Sequence, residues 1–304
     1  MSSSQPLWAG IDIGASKILA VLCDDEGRER ARGTAPTPSK SGGESILDAT
    51  ADVVSRLLKD VDGAALAGAG VGAAGVIDPD GGVVVTTGDS FTGWAGTAVN
   101  AGLSARLGGV PVRTENDVKA FLLGELSVPG VDNPPNVLGI TLGTGVGGAL
   151  IVDGRLLHGG STGAGEIGHV GAYGHERCSC GEPGHLEAYA AGRALTRRYR
   201  LATGQDRTAA EVADAAAAGD EVATRLYEEA GRYLGAAIAY TGGLLGLDLA
   251  ILGGSVVGSW PALEGAVLRT LASQPLLSKK PVRVRLSQLG STAVAIGALA
   301  LAKQ

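Results

Sequence analysis

Two stretches near the start, residues 7–13 and 17–23, are mostly apolar and are separated by a short glycine-containing break, which predicts two strands. Asp24 to Gly27 supplies a turn before a third strand-like run over 28–34. The spacing then changes: Ile46, Leu47, Val53, Val54, Leu57 and Leu58 fall mostly at helical intervals and predict a helix over 44–59. Residues 66–77 read as a buried strand closed by Asp78-Pro79-Asp80-Gly81, followed by a helix near 97–107, a strand over 110–114 and a helix over 118–126. Three prolines within 129–136 mark a loop close to a domain junction. Beyond it the pattern restarts with paired runs over 137–142 and 147–152, a turn at Asp153-Gly154 and a short run over 155–157. A long helical pattern over 221–245, strands over 249–252 and 282–286, and an Ala/Leu helix over 292–301 complete the chain. Strands mixed with helices, twice over, predict an α/β fold of two similar halves.

Residues 235–258 carry one charge, Asp248, and are long enough to cross a bilayer. Gly242-Gly243 and Gly253-Gly254 interrupt them, and a charge near the centre of a spanning helix costs about 3 kcal/mol, so a membrane span is not expected. The chain of 304 residues has 45% apolar and 18% charged residues, a globular composition with length for two domains. Its 25 Lys and Arg against 31 Asp and Glu give a net charge of −6, and no basic block favours nucleic acid or an anionic membrane. The start, MSSSQPLWAG, lacks the basic residues of a secretory signal. Three cysteines cannot staple a chain of this length, and two of them lie among histidines, so a reducing, cytoplasmic location is expected. Glycine, at 50 residues, is more than twice its usual share of roughly 7% and implies tight turns and close backbone approach to a ligand.

Two familiar motifs lack their context. Gly70-Val71-Gly72-Ala73-Ala74-Gly75 matches a dinucleotide fingerprint but runs into strand and turn residues, where that fingerprint must open a helix. Gly159-Gly160-Ser161-Thr162-Gly163 matches a serine-hydrolase elbow, yet residues 163–168 are too rich in glycine to begin a helix; a hydrolase using Ser161 is a distant alternative. No Walker-type loop is present. The informative features are two glycine turns between strands, Asp12-Ile13-Gly14-Ala15-Ser16-Lys17 and Leu142-Gly143-Thr144-Gly145-Val146-Gly147-Gly148. Glycines there let backbone N–H groups and hydroxyls approach a polyphosphate, and a carboxylate such as Asp12 at a strand end can hold a hydrated magnesium ion. Either turn alone reads as an ordinary hairpin; at matching places in two halves they point to a nucleotide between related domains.

These turns, with Glu115-Asn116-Asp117 and Leu252-Gly253-Gly254-Ser255, resemble the actin-like, hexokinase-type ATPase framework. Gly165-Glu166-Ile167-Gly168-His169, followed by Cys178-Ser179-Cys180-Gly181-Glu182-Pro183-Gly184-His185-Leu186-Glu187, resembles the ROK family of repressors, open reading frames and sugar kinases. The resemblance covers nearly the whole chain and implies two actin-like (ribonuclease H-like) domains with the active site in the cleft between them. The expected domains are a small one over 1–117, completed by a helix over 290–304, and a large one over 118–289 that carries a zinc-binding loop. The family's repressors place a helix-turn-helix before the first phosphate turn, which here begins at Asp12, so the kinase branch is expected.

The implied activity is ATP- and Mg2+-dependent phosphorylation of the 6-hydroxyl of glucose or a close relative, with a non-catalytic sugar sensor as the alternative. Asp117 matches the family's catalytic base, although Asn116 and Asp117 also read as a helix cap. Asn116, Glu166, His169 and Glu187 match positions that meet the sugar, and Gly75, at the end of its strand, is placed to offer a backbone contact. Asp12, Gly14, Ser16, Lys17, Gly143, Thr144, Gly145, Gly253, Gly254 and Ser255 match the nucleotide side. His169, Cys178, Cys180 and His185 offer a tetrahedral set for structural Zn2+, with His185 where the family pattern has a third cysteine and His175 as a rival ligand. The first phosphate turn departs from the family's Asp-Ile-Gly-Gly-Thr-Lys at Ala15 and Ser16. Where family glucokinases place Pro-Asn before Trp94, this chain has Asp89-Ser90; Asp89 could pair with an amino group, as on 3-amino-3-deoxyglucose (kanosamine), or be an exposed turn residue. The expected partners are sugar, ATP and further copies of the chain as a dimer or tetramer, without nucleic acid or membrane.

Overall fold

The computed structural model describes residues 6–61, 65–274, 276 and 280–303. In chain order its elements are β1 (Leu7–Ile13), β2 (Lys17–Cys23), β3 (Glu29–Pro36), α1 (Gly43–Asp60), β4 (Leu66–Ala73), β5 (Val76–Asp78), β6 (Val83–Thr86), α2 (Val99–Arg106), β7 (Val112–Asn116) and α3 (Asp117–Leu126). There follow β8 (Val137–Leu142), β9 (Val146–Val152), β10 (Arg155–Leu156), α4 (Glu187–Ala190), α5 (Gly192–Thr203), α6 (Ala209–Ala217), α7 (Glu221–Leu245), β11 (Leu249–Gly253), α8 (Trp260–Ser273), β12 (Arg283–Leu286) and α9 (Ala293–Ala302). The chain divides into two compact units: Met1–Val131 with His158–Gly163 and Ser291–Gln304, and Asp132–Leu157 with Ala164–Gly290.

The same sheet is built twice. In the first unit the order is β3-β2-β1-β4-β7, in the second β10-β9-β8-β11-β12. Each begins with an antiparallel meander of three strands and adds two parallel strands beside the first. Every parallel addition needs a crossover, which is why helical patterns separate those strands in sequence. The fold is thus α/β with two actin-like domains.

In the first unit Ile11, Ile13, Ile18 and Leu22 pack with α1 residues Ile46, Leu47, Val53 and Val54 and with buried Trp94. On the sheet's other face Leu19, Val21 and Cys23 meet Ala295 and Leu299 of α9. Helices α3 and α9 approach closely because Gly297 has no side chain: a Cβ there would lie 1.8 Å from the Ala120 carbonyl oxygen. Gly297→Ala gains about 1 kcal/mol of helix propensity but must force two backbones apart, at about 1–3 kcal/mol or more. Overpacking wins, so the urea midpoint should fall; an unchanged or raised midpoint would show that the two helices separate freely.

Several expectations need adjustment. The single strand expected over 66–77 is split into β4 and β5, because Gly75 at φ 115° turns the chain between them. The expected boundary at 117/118 differs from the contact division, in which α3 lies with the first unit through its packing on α9. The stretch at 235–258 is the end of α7 and strand β11, and among the described residues no helix is long and apolar enough to cross a membrane. The first five residues of the MSSSQPLWAG segment lie outside the described residues. After Ser161 come turns and a 3-10 turn over Ile167–His169, with no α-helix, and the Ser161 hydroxyl has no hydrogen bond among the described residues, so the nucleophile elbow is not formed.

Candidate active site and metal centre

In the first unit, functional groups gather where β1, β4 and β7 end. Asp12 is on β1, opposite Gly72 of β4, and the Cβ position of Gly72 is 3.6 Å from the Cα of Asp117. Burial pushes the Asp12 carboxyl up to about 7; the charge of Asp117 pushes the same way, and Lys17 partly offsets both. The turn at Gly14 is closed by its N–H donating to the Lys17 carbonyl at 3.1 Å, and the Thr37 hydroxyl donates to the Gly14 carbonyl at 2.7 Å. Ser16 and Lys17 are exposed.

Asn116 ends β7 and caps α3. Its Oδ1 accepts from the Val118 and Lys119 N–H groups at 3.0 and 3.1 Å, the geometry an N-cap amide favours. Its Nδ2 donates to the Gly75 carbonyl at 2.9 Å and to Asp117 Oδ1 at 3.0 Å. A sugar hydroxyl meeting this amide must therefore displace or share one of those bonds. Asp117 opens the helix, where the macrodipole favours an anion, and its Oδ1 also accepts from the Val118 N–H at 2.9 Å. Cap and oriented carboxylate coexist in adjacent residues.

Glu115 belongs to the motif read in the sequence, but its partner His158, and the pair of Lys119 with Thr162, had no sequence signal. Buried Glu115 holds His158 Nε2 at 2.6 Å, and buried Lys119 donates to the Thr162 carbonyl at 2.9 Å. The carboxylate of Asp89, by contrast, is exposed and has no hydrogen bond among the described residues; the Lys40 ammonium donates to the Asp89 carbonyl at 2.6 Å.

Ionised Asp12 costs the first unit folding free energy. The cost is absent below the ordinary value of 3.8, grows as pH rises towards about 7, and is complete above it. Asp12→Asn, without ligand, should therefore raise Tm by roughly 2–4 °C at about pH 8, taking relief of about 1 kcal/mol, and by little at about pH 4. An equal gain at both pH values would show that the carboxylate is not strained.

In the second unit a cavity of about 570 Å3 is lined by Gly143 and Thr144 of the β8–β9 turn, Ser255 after β11, Arg193 and Thr196 of α5, and 206–211 around the start of α6. Its size suits a nucleotide-sized ligand. Gly145, Gly253 and Gly254 belong to the same turns without lining it. Gly254, at φ 90°, has its Cβ position 2.4 Å from the Leu142 carbonyl oxygen, so only glycine lets the two turns approach. The Thr208–Glu211 capping box that starts α6 carries a Thr-x-x-Glu signal that could have marked this helix, whereas Arg193, the sole charge at the head of α5, carries none.

His169, Cys178, Cys180 and His185 bring one ligand atom each to within 4.8 Å of one another, and His175 lies outside the group. Sγ of Cys178 is 3.6 Å from His169 Nδ1, and Sγ of Cys180 is 3.2 Å from His185 Nδ1. Tetrahedral zinc with Zn–N and Zn–S bonds of about 2.1 and 2.3 Å separates its ligands by roughly 3.6 Å, so this donor set fits the ion. Burial pushes the Cys178 thiol up. Glu187, beside the cluster, would be raised by its burial, but hydrogen bonds from the Ser179 hydroxyl (2.6 Å) and the Val146 N–H (3.1 Å), with Arg193, hold it below its usual range. Glu166 is exposed at the head of the 3-10 turn.

A glucokinase from Halalkalibacterium halodurans is 30% identical over 98% of this chain and 95% of its own length. An N-acetyl-D-glucosamine kinase from Citrobacter koseri is 32% identical over 82% of this chain and 84% of its own. The crystal structure of a ROK family glucokinase from Streptomyces griseus, in complex with glucose and AMPPNP, superposes with a TM-score of 0.81 at 30% identity, covering 98% of this chain and 99% of that one. With the doubled sheet, the paired glycine turns and the His/Cys loop all in place, and the ROK family model matching residues 8–304, this chain belongs to the ROK family.

Proposed function

We propose that this protein is an ATP- and Mg2+-dependent sugar kinase that phosphorylates the 6-hydroxyl of glucose or a close relative. The observation that carries this reading is Asp117, a carboxylate fixed at a helix start by Asn116 and the Val118 N–H, beside a second carboxylate, Asp12. Asp117 takes the proton of the acceptor hydroxyl as its oxygen bonds to the γ-phosphorus; the bond from phosphorus to the bridging oxygen breaks, and ADP leaves with the electron pair. Gly75, Asn116 and Asp89 in the first unit, and Glu166, His169 and Glu187 in the second, are the proposed sugar contacts. Gly14, Ser16 and Lys17, with Gly143, Thr144, Gly145, Gly253, Gly254 and Ser255, are the proposed phosphate and nucleoside contacts. Asp12 fits a hydrated Mg2+, since a cation offsets both the burial and the Asp117 charge that raise its carboxyl. Bound Mg2+ supplies charge neutralisation at the transferring phosphoryl group. The His169, Cys178, Cys180 and His185 set would hold a structural Zn2+ that fixes the loop presenting His169.

Between neutral and amino sugars, the Lys40 contact supports a neutral acceptor. The Lys40 ammonium, seated on the Asp89 carbonyl, works against a substrate ammonium at the neighbouring carboxylate, so a neutral hexose is the better acceptor. The test is an ADP-release assay across hexoses and amino-hexoses, with wild type and Asp89→Asn. Glucose should be turned over with ATP and Mg2+, and the kcat/KM ratio of glucose to 3-amino-3-deoxyglucose should change less than about threefold in the variant; a real charged pair there is worth about ten- to a hundredfold. Sugar binding without ADP release from any sugar would make the chain a sensor.

A further inference from the structure

Arg193 stands at the second position of α5, where two features of the second unit meet. Its Nη2 donates to Glu187 Oε1 and to the Ser179 hydroxyl, and that nitrogen is 3.9 Å from the Cβ position of Gly145 in the phosphate turn. Glu187 is buried and spends its other oxygen on the Val146 N–H, so one carboxylate ties the His/Cys loop, the phosphate turn and α5 together. Arg193 also lines the 570 Å3 cavity with Gly143, Thr144 and Ser255, and its side chain is 41% exposed. Among the described residues its hydrogen bonds use Nη2 alone, which leaves Nε and Nη1 without a protein acceptor.

We infer that Arg193 is a positioning residue that couples two ligands, a nucleoside triphosphate in this cavity and a sugar held by Glu187, so that each binds more tightly in the presence of the other. The inference rests on the sugar-kinase reading. A guanidinium carries five donors in a rigid fork and can keep a carboxylate on one nitrogen while offering the others to phosphate oxygens. A polyphosphate that engages Nε or Nη1 stops the side chain from exchanging rotamers. Glu187 is then held in one geometry before the sugar arrives, and less ordering remains to oppose sugar binding. The coupling is necessarily reciprocal. Lysine at this place keeps the charge, yet one ammonium on a flexible stem cannot fork between the two anions.

Calorimetric titration of glucose, with and without Mg2+–AMPPNP, tests this in wild type, Arg193→Gln and Arg193→Lys. In wild type the nucleotide analogue should tighten glucose binding about five- to tenfold, and glucose should tighten the analogue by the same factor. In both variants the factor should fall below about twofold. The inference is overturned if wild type shows no coupling or mutual weakening. It is also overturned if the variants weaken glucose equally with and without the analogue, since Arg193 would then merely support Glu187. Arg193→Lys keeps the test decisive if Arg193→Gln fails to fold. The measurement needs no turnover, so a chain that couples its ligands but releases no ADP fails the kinase reading and not this one.

Discussion

Asp117→Asn is expected to lower kcat by about 10²–10⁴, the usual worth of a positioned general base, while glucose affinity changes little. The amide has nearly the shape of the carboxylate, and its oxygen can still accept from Asn116 Nδ2 and the Val118 N–H. What it cannot do is take the acceptor's proton. Stability should barely move. Removing a charge from the first turn of α3 forfeits about 0.3–1 kcal/mol of helix-dipole interaction, and it also removes the Asp117 repulsion that adds to burial in raising Asp12. The two effects oppose. Single-turnover measurement of sugar phosphate separates chemistry from binding, and near-normal turnover would remove Asp117 from the assigned role.

Cys178→Ser and Cys180→Ser should each release the metal. Purified wild type should contain about one zinc per chain, and each variant should lose more than the roughly 10–100-fold in metal affinity that accompanies loss of an outer hydrogen-bond partner. The consequence should reach the sugar. His169 is one member of the cluster, and Ser179, between the two cysteines, donates to Glu187, so an unclamped loop releases both. Glucose Kd should rise about tenfold or more, while His175→Ala, outside the cluster, should keep its metal. Full glucose affinity in zinc-free wild type would leave these four residues without the proposed role.

The first two strands of each meander were legible because each is an apolar run beside a turn, and β1, β2 and β8 fall on the expected residues; β3 and β10, polar and exposed at the sheet edges, were marked only by the turns before them. Helix α7 was equally plain over its full length. Helices α5, α6 and α8 were not read. Helix α5 is polar and rich in arginine, with an apolar stripe of only Ala194, Leu195 and Tyr199, six of the nine residues of α6 are alanine, and Trp260-Pro261 obscures the start of α8, so no long run of large apolar residues announces them. The site was legible where chemistry is local: the Cys-x-Cys segment with His185 lies within eight residues, and Asn116-Asp117 are adjacent. It was illegible where a side chain works across the fold. Glu115 with His158 and Arg193 with Glu187 are pairs made by tertiary packing, and Arg193 among several arginines of α5 had nothing to mark it.

The late position of α9 bears on how the chain is made. The first unit's sheet consists of residues synthesised early, yet one of its faces is covered by 293–302. During vectorial synthesis α3 reaches that face only beside β4 and β7, and the part with Leu19 and Val21 and the close-fitting backbone at Gly10 and Gly70 waits for α9 until almost all of the second unit has emerged from the ribosome. The second unit, by contrast, has all of its strands and helices by residue 290. The second unit can therefore complete its fold before the first. An arrested nascent chain lacking α9 carries a native-like second unit and an open apolar sheet, the kind of surface that chaperones hold and that nucleates aggregation when they do not.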